Sequence, residues 1–159
     1  MFRKIPWFFA FLTFLLMIKL SGPVKQLINL PAFIMVFGAP VLLLMSIYKP
    51  GDISKTLKTF FAPADAGIPV NEICFSSSLI STYGIIAMAT GILCSLMGII
   101  AILANLAEPD DIMINISVSM LTMLYGIFAY LFICLPATFY LKGMAERNAY
   151  LKELEQETD

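Results

Sequence analysis

The sequence predicts an all-α integral membrane protein with four transmembrane helices and with both termini in the cytoplasm. Hydrophobic residues make up 60% of the 159 residues and charged residues only 13%, and the mean hydropathy is +0.89. Soluble domains carry about 25% charged residues, so this chain is expected to lie in lipid. Its charges are clustered, and four stretches contain none: 5–18, 26–48, 73–107 and 112–141.

A helix that crosses the hydrocarbon core needs about 20 apolar residues, so the last three stretches are long enough. The first reaches that length when Arg3, Lys4 and Lys19 extend their alkyl stems to the interfaces. A cleaved signal peptide is the alternative, but no small-x-small cleavage site follows the apolar run. We therefore predict a single membrane domain, 1–159. It comprises helices at about 4–21, 30–48, 76–106 and 112–145, a cytoplasmic loop at 49–75 and a cytoplasmic tail at 146–159.

The orientation follows from the basic residues, which are retained on the cytoplasmic side of a membrane. With an inside N-terminus, eight of the ten fall in cytoplasmic segments: Arg3, Lys4, Lys49, Lys55, Lys58, Lys142, Arg147 and Lys152. The outer loops keep Lys19 and Lys25, and the second outer loop, 108–111, carries only acidic charge. Both termini are therefore predicted to be cytoplasmic.

Several functional classes are excluded by what the chain lacks. It has no histidine, which excludes imidazole catalysis and the usual zinc hydrolases. Cys74, Cys94 and Cys134 are isolated and are interpreted as small apolar residues rather than metal ligands. The net charge of −1 argues against a nucleic-acid partner. We expect no enzyme with its own catalytic group, no metal site and no cofactor.

Small and polar residues repeat at intervals of three and four in the last two predicted helices, which places them on one face of each helix. The first face consists of Gly84, Ala87, Gly91, Ser95 and Gly98, and the second of Asn115, Ser119, Thr122, Gly126 and Ala129. Small residues let helices approach closely, which assigns Gly84, Gly91, Gly98, Gly126 and Ala129 to helix packing. The hydroxyls of Ser95 and Thr122 favour an ion pathway, because they can order water in a pore.

No Asp or Glu lies within any predicted helix, although membrane ion carriers commonly use a carboxylate. If the chain conducts ions, another subunit must supply that group.

Two motifs then carry a family resemblance. From Leu103, the chain follows L-x-x-L-x-D-P with Glu108 in place of Asp. Five residues then match the motif L-L-T-T-L-Y-G, in which Met123 replaces the second Thr, and a proline follows at Pro136. The five are Leu121, Thr122, Leu124, Tyr125 and Gly126. Upstream it follows P-x-x-G-x-x-G-T-x-x-G, in which Met88 and Cys94 depart from the pattern and Ser95 replaces Thr. These motifs resemble those of the MotA/TolQ/ExbB proton-channel family, over about half of the chain.

The resemblance implies a subunit of a proton-driven complex of the bacterial inner membrane. Five copies would form a ring in the lipid around two copies of a MotB-, ExbD- or TolR-like single-span protein that carries an Asp. The implied ion pathway contains Thr122, Ser95, Ser119, Tyr125 and Pro136. The flagellar members of the family have a large cytoplasmic domain where this chain has only the short 49–75 loop. A membrane scaffold without transport is the alternative, and a pore that conducts without a partner is a third, less favoured reading.

Overall fold

The computed structural model describes residues 29–63, 67–104 and 109–158, together with the single positions 12, 13, 16 and 19, which are helical. Within these ranges the side chains of residues 109–111, 114, 155, 157 and 158 are not described. The predicted first membrane helix, 4–21, otherwise lies outside the described residues. So do Arg3, Lys4, Lys25 and Glu108, which entered the prediction of orientation.

The first fully described helix, α1, spans Leu30–Ile47 and agrees closely with the predicted 30–48. Asn29 caps it, because the side-chain oxygen of Asn29 accepts a hydrogen bond from the Ala32 N–H at 3.2 Å. The helix ends before Lys49, which has the extended conformation that a following proline favours.

A second helix, α2, spans Pro50–Phe61, within the stretch 49–75 that the sequence predicts as a cytoplasmic loop. Pro50 starts the helix rather than breaking it, because a proline in the first turn has no hydrogen bond to lose. Asp52 in the first turn and Lys58 in the last turn both complement the helix dipole. The helix packs on its neighbour through Thr56 and Thr59, which are buried.

Three more helical segments complete the described part of the chain. Helix α3 spans Val70–Ala104, so it starts at Val70 rather than near residue 76, and its length is about 50 Å. Helix α4 spans Pro109–Phe128 and continues through a π-helical turn, Ala129–Cys134, into α5, Leu135–Thr158. The predicted tail is thus helical as far as residue 158.

Helix α3 is central, since it contacts α1, α2, α4, the π-helical turn and α5. At the end of the bundle where α3 begins, Ile73, Leu141, Met144 and Ala145 form a buried cluster. Three described segments are long and apolar enough to cross a membrane: Leu30–Ile47, Val70–Ala104 and Asn115–Leu154. The prediction of an all-α membrane fold is confirmed for these three segments.

Candidate functional site: the interface between α3 and α4

The two faces of small and polar residues pack against each other within one chain. Ala87, Gly91 and Ser95 of α3 are buried, as are Ser119 and Thr122 of α4. This α3–α4 interface is the most extensive helix contact in the described structure. The sequence predicted the two faces but not that each would be covered by the other.

Glycine allows the backbones to approach closely at the middle of this interface. A Cβ atom added to Gly91 would lie 2.8 Å from the Thr122 carbonyl oxygen and 3.0 Å from the Gly126 Cα atom. A Cβ atom added to Gly126 would lie 2.8 Å from the Ala87 carbonyl oxygen. The two distances of 2.8 Å are shorter than real Cβ contacts, so only glycine fits at this crossing without a shift of the helices. Nearer the other end of α3, a Cβ atom on Gly98 would collide with the Ser119 hydroxyl.

The three hydroxyls predicted for the ion pathway lie in this interface. Ser119 Oγ donates to the Asn115 carbonyl at 3.0 Å, and Thr122 Oγ1 donates to the Ser119 carbonyl at 2.6 Å. Ser95 is 4% exposed and has no hydrogen-bond partner among the described residues. Each hydroxyl oxygen can still accept a hydrogen bond. A water molecule at the edge of the interface could therefore donate a hydrogen bond to one of these hydroxyl oxygens.

The other two predicted pathway residues, Tyr125 and Pro136, are only partly buried. The Tyr125 hydroxyl accepts a hydrogen bond from the Asn29 N–H at 3.1 Å, and its ring packs edge to face on Phe33. Tyr125 thus links α4 to the start of α1. Pro136 is half-buried in the first turn of α5, directly after the π-helical turn.

The π-helical turn packs on the remaining glycine of the α3 face. A Cβ atom added to Gly84 would lie 2.6 Å from Cys134 Cβ and 3.0 Å from the Tyr130 ring. The Leu135 N–H donates to the Tyr130 carbonyl, which is the i to i+5 bond that widens the helix. Ala129, the last of the predicted packing residues, is fully buried at the start of this turn.

The sequence analysis does not identify a groove of about 280 Å³ between α3 and α5, which is lined mainly by residues that carry hydroxyl groups. We call it the hydroxyl groove, and its lining includes Ser77, Ser78, Ser81, Thr82, Thr138 and Lys142. The sequence does contain a pattern that indicates such a groove, because four of the six residues at positions 77–82 carry hydroxyl groups within an otherwise apolar stretch.

A sequence model of the MotA/TolQ/ExbB proton channel family matches residues 71–154. The match begins in the first turn of α3 and includes the α3–α4 interface, the π-helical turn and the hydroxyl groove. It covers more than half of the 159 residues. The chain belongs to the MotA/TolQ/ExbB proton channel family. A search of curated proteins gives no match.

Membership of the MotA/TolQ/ExbB family confirms the resemblance read from the motifs and gives the chain a role of the ion-channel or motor type. The family is one of proton channels and not of enzymes. Together with the three apolar helices, it makes the chain a multi-pass membrane protein. Members work with single-span partners in membrane complexes. Among the described residues, no three His, Cys, Asp or Glu side chains converge into a metal site.

Proposed function

We propose that this chain is a ring-forming subunit of a proton-driven motor or channel complex in the bacterial inner membrane. The proposal rests on one observation about the part of the chain that matches the family, residues 71–154. Its buried α3–α4 interface contains hydroxyl groups, but no carboxylate lies between residues 73 and 107 or between 112 and 141. A proton pathway commonly needs a group that binds and releases the proton. A single-span partner with an Asp in its span supplies it.

The ring consists of five copies around two such partners, as the family resemblance implies. Ser95, Ser119 and Thr122 then border the path beside the partner's carboxylate, and Tyr125 and Pro136 shape its cytoplasmic exit. The chain has four spans, the first being 4–21, and both termini are cytoplasmic. The positions of the lysines support this orientation, since Lys49 follows α1 and Lys142 lines the groove at the beginning of α3.

One observation favours the second candidate, a membrane scaffold. Ser119 and Thr122 already donate to carbonyls of their own helix, and the small residues opposite them are covered within the chain. Helix packing alone would account for that arrangement.

The composition and activity of the purified complex separate the two candidates. The chain is expressed together with a candidate single-span partner, purified, weighed by native mass spectrometry and reconstituted in vesicles. Five copies with two Asp-bearing partners, together with proton uptake that is lost when the partner's Asp is changed to Asn, are expected for the channel. A stable complex without such a partner, or uptake that is indifferent to that Asp, would support the scaffold instead.

A further inference from the structure

The hydroxyl groove lies on a part of α3 that the α3–α4 interface does not explain. Thr82 follows Glu72 by ten residues, which corresponds to about 15 Å along the helix, or half of the hydrocarbon thickness. Residues 73–107 carry no charge, so Ser78, Ser81 and Thr82 belong to the membrane-crossing part of the chain. The groove therefore brings polar side chains to a depth at which lipid would surround an isolated helix.

The hydrogen bonds of the groove leave part of its polarity without a partner. Thr82 donates to the Ser78 carbonyl at 2.9 Å, and Thr138 donates to the Cys134 carbonyl at 2.8 Å. The hydroxyls of Ser78 and Ser81 make no hydrogen bond to any described residue, and Ser78 is exposed. Leaving such groups in hydrocarbon costs several kcal/mol each, whereas water would satisfy them.

The face of α3 that carries Ser78 and Thr82 becomes apolar after Thr82. Positions 78, 82, 85, 89 and 96 share one helical face. Ile85 and Leu96 on that face are each 52% exposed and apolar, as expected for contact with lipid or with an apolar neighbour. On this face of α3, the polar side chains thus lie only at the end nearer Lys142. The groove volume of about 280 Å³ is large enough to hold several water molecules.

We propose that the hydroxyl groove is a water-filled vestibule at the Lys142 end of the channel, through which protons reach or leave the cytoplasm. This inference rests on the proposed function for its role, but the hydration of the groove does not. Ser78 and Ser81 hold the water, and Lys142 lies at the mouth, where its ammonium group attracts anionic reagents more than cationic ones.

Thiol labelling in inverted membrane vesicles tests the hydration. Cys94→Ala and Cys134→Ala leave the native, exposed Cys74 of the groove as a first probe. Adding Cys74→Ser with either Ser78→Cys or Ser81→Cys gives two more probes. A charged methanethiosulfonate reagent reacts with thiolate in water and not in lipid.

Two matched positions give the reference rates. Ser54→Cys on the exposed face of α2 reacts fast, whereas Leu93→Cys, at a side chain that is 60% exposed on the apolar part of α3, reacts slowly. We expect the groove cysteines to react within about tenfold of the Ser54→Cys rate. An added Lys142→Gln should lower the ratio of anionic to cationic reagent rates in the groove. Groove cysteines as slow as Leu93→Cys, because lipid or a neighbouring helix covers them, would overturn the vestibule.

The role in transport is measured separately, with the chain and its partner together in vesicles. Labelling Ser81→Cys should lower proton uptake by at least about tenfold by filling the vestibule, and labelling Ser54→Cys should leave uptake unchanged. Full uptake after labelling of Ser81→Cys would overturn the assignment to the pathway. No uptake by the unmodified complex would overturn the proposed function and, with it, the role of the groove, whereas the labelling rates would still decide whether the groove is hydrated.

Discussion

Replacing Gly91 by alanine tests whether α3 and α4 meet through their glycines. The new methyl group would lie 2.8 Å from the Thr122 carbonyl oxygen and 3.0 Å from Gly126 Cα. Unstrained contacts of this kind are about 3.5 to 4 Å, so the helices must separate by about 0.5 to 1 Å. Overpacking of this kind costs about 1–3 kcal/mol. The equilibrium between folded and unfolded protein should therefore shift about 5- to 150-fold.

The measurement is the thermal midpoint of unfolding of the purified protein in detergent. The signal is the fraction of protein that remains monodisperse after heating to each temperature. For a chain of this size the loss corresponds to roughly 2 to 12 °C. Gly38→Ala is the matched control, because it also lies in a membrane helix but a Cβ atom there would meet only Ile34 Cγ2, at 3.9 Å. This control should be neutral or slightly stabilising, since alanine favours a helix more than glycine does.

The double variant sharpens the test. A Cβ atom on Gly126 would lie 3.1 Å from Gly91 Cα, so both methyl groups would force the helices apart at the same crossing. Once one methyl has separated them, the second should cost less, and the two losses should be sub-additive by about 0.5 kcal/mol or more. Equal thermal midpoints for Gly91→Ala and Gly38→Ala, or strictly additive losses, would refute close backbone packing as the basis of this interface.

Two further predictions concern the proposed channel. Thr122→Val keeps the shape of the side chain but removes the hydroxyl, so proton uptake should fall roughly tenfold if one hydrogen bond to water is lost. Ser117→Ala is its control, because Ser117 also bonds its own helix, donating to the Met113 carbonyl at 2.9 Å, but is exposed; undiminished uptake in Thr122→Val would remove this residue from the pathway. Reporter fusions should place residue 108 outside the cytoplasm and residue 54 inside, as the basic residues predict, and a cytoplasmic position for residue 108 would reverse the orientation.

The membrane helices could be predicted from the sequence because lipid imposes a simple rule on charge and length. The 26–48 stretch gave α1 almost to the residue, since Asn29 with Pro31 marks its start and Lys49 with Pro50 marks its end. Helix α2 carries charges at Asp52, Lys55 and Lys58, so the rule for membrane helices does not detect it. The prolines around it favour a loop, although Pro50 lies in the first turn of the helix. The buried positions of Thr56 and Thr59 become evident only from the packing of α2 on α3.

The candidate site was predictable as two faces but not as an interface. Spacing at three and four places residues on one side of a helix without identifying the neighbour of that side. The pairing of Gly91 with Gly126 depends on the register of α3 against α4, which the sequence does not state. The hydroxyl groove depends on a second register, that of Ser77 against Thr138, whose carbonyl accepts from Ser77 Oγ at 3.4 Å.

The π-helical turn sets this second register. Along α4 the buried face advances by three or four residues through Ser119, Thr122, Gly126 and Ala129, and the next buried residue is Cys134, five positions later. A regular α-helix would instead have turned Ile133, which is 48% exposed, toward α3. The extra residue rotates α5 by about 100° relative to that path.

This rotation accounts for three features together. It places Cys134 against Gly84, and no residue larger than glycine would fit at position 84. It also brings Leu141 into the buried cluster around Ile73. It also turns Thr138 toward the groove. Pro136 fits the same geometry, because a proline has no N–H for a regular helical bond and its ring needs room in the preceding turn. The packing of the α3–α4 interface and the polarity of the groove are therefore joined through one local change of helix geometry, which no periodicity in the sequence reveals.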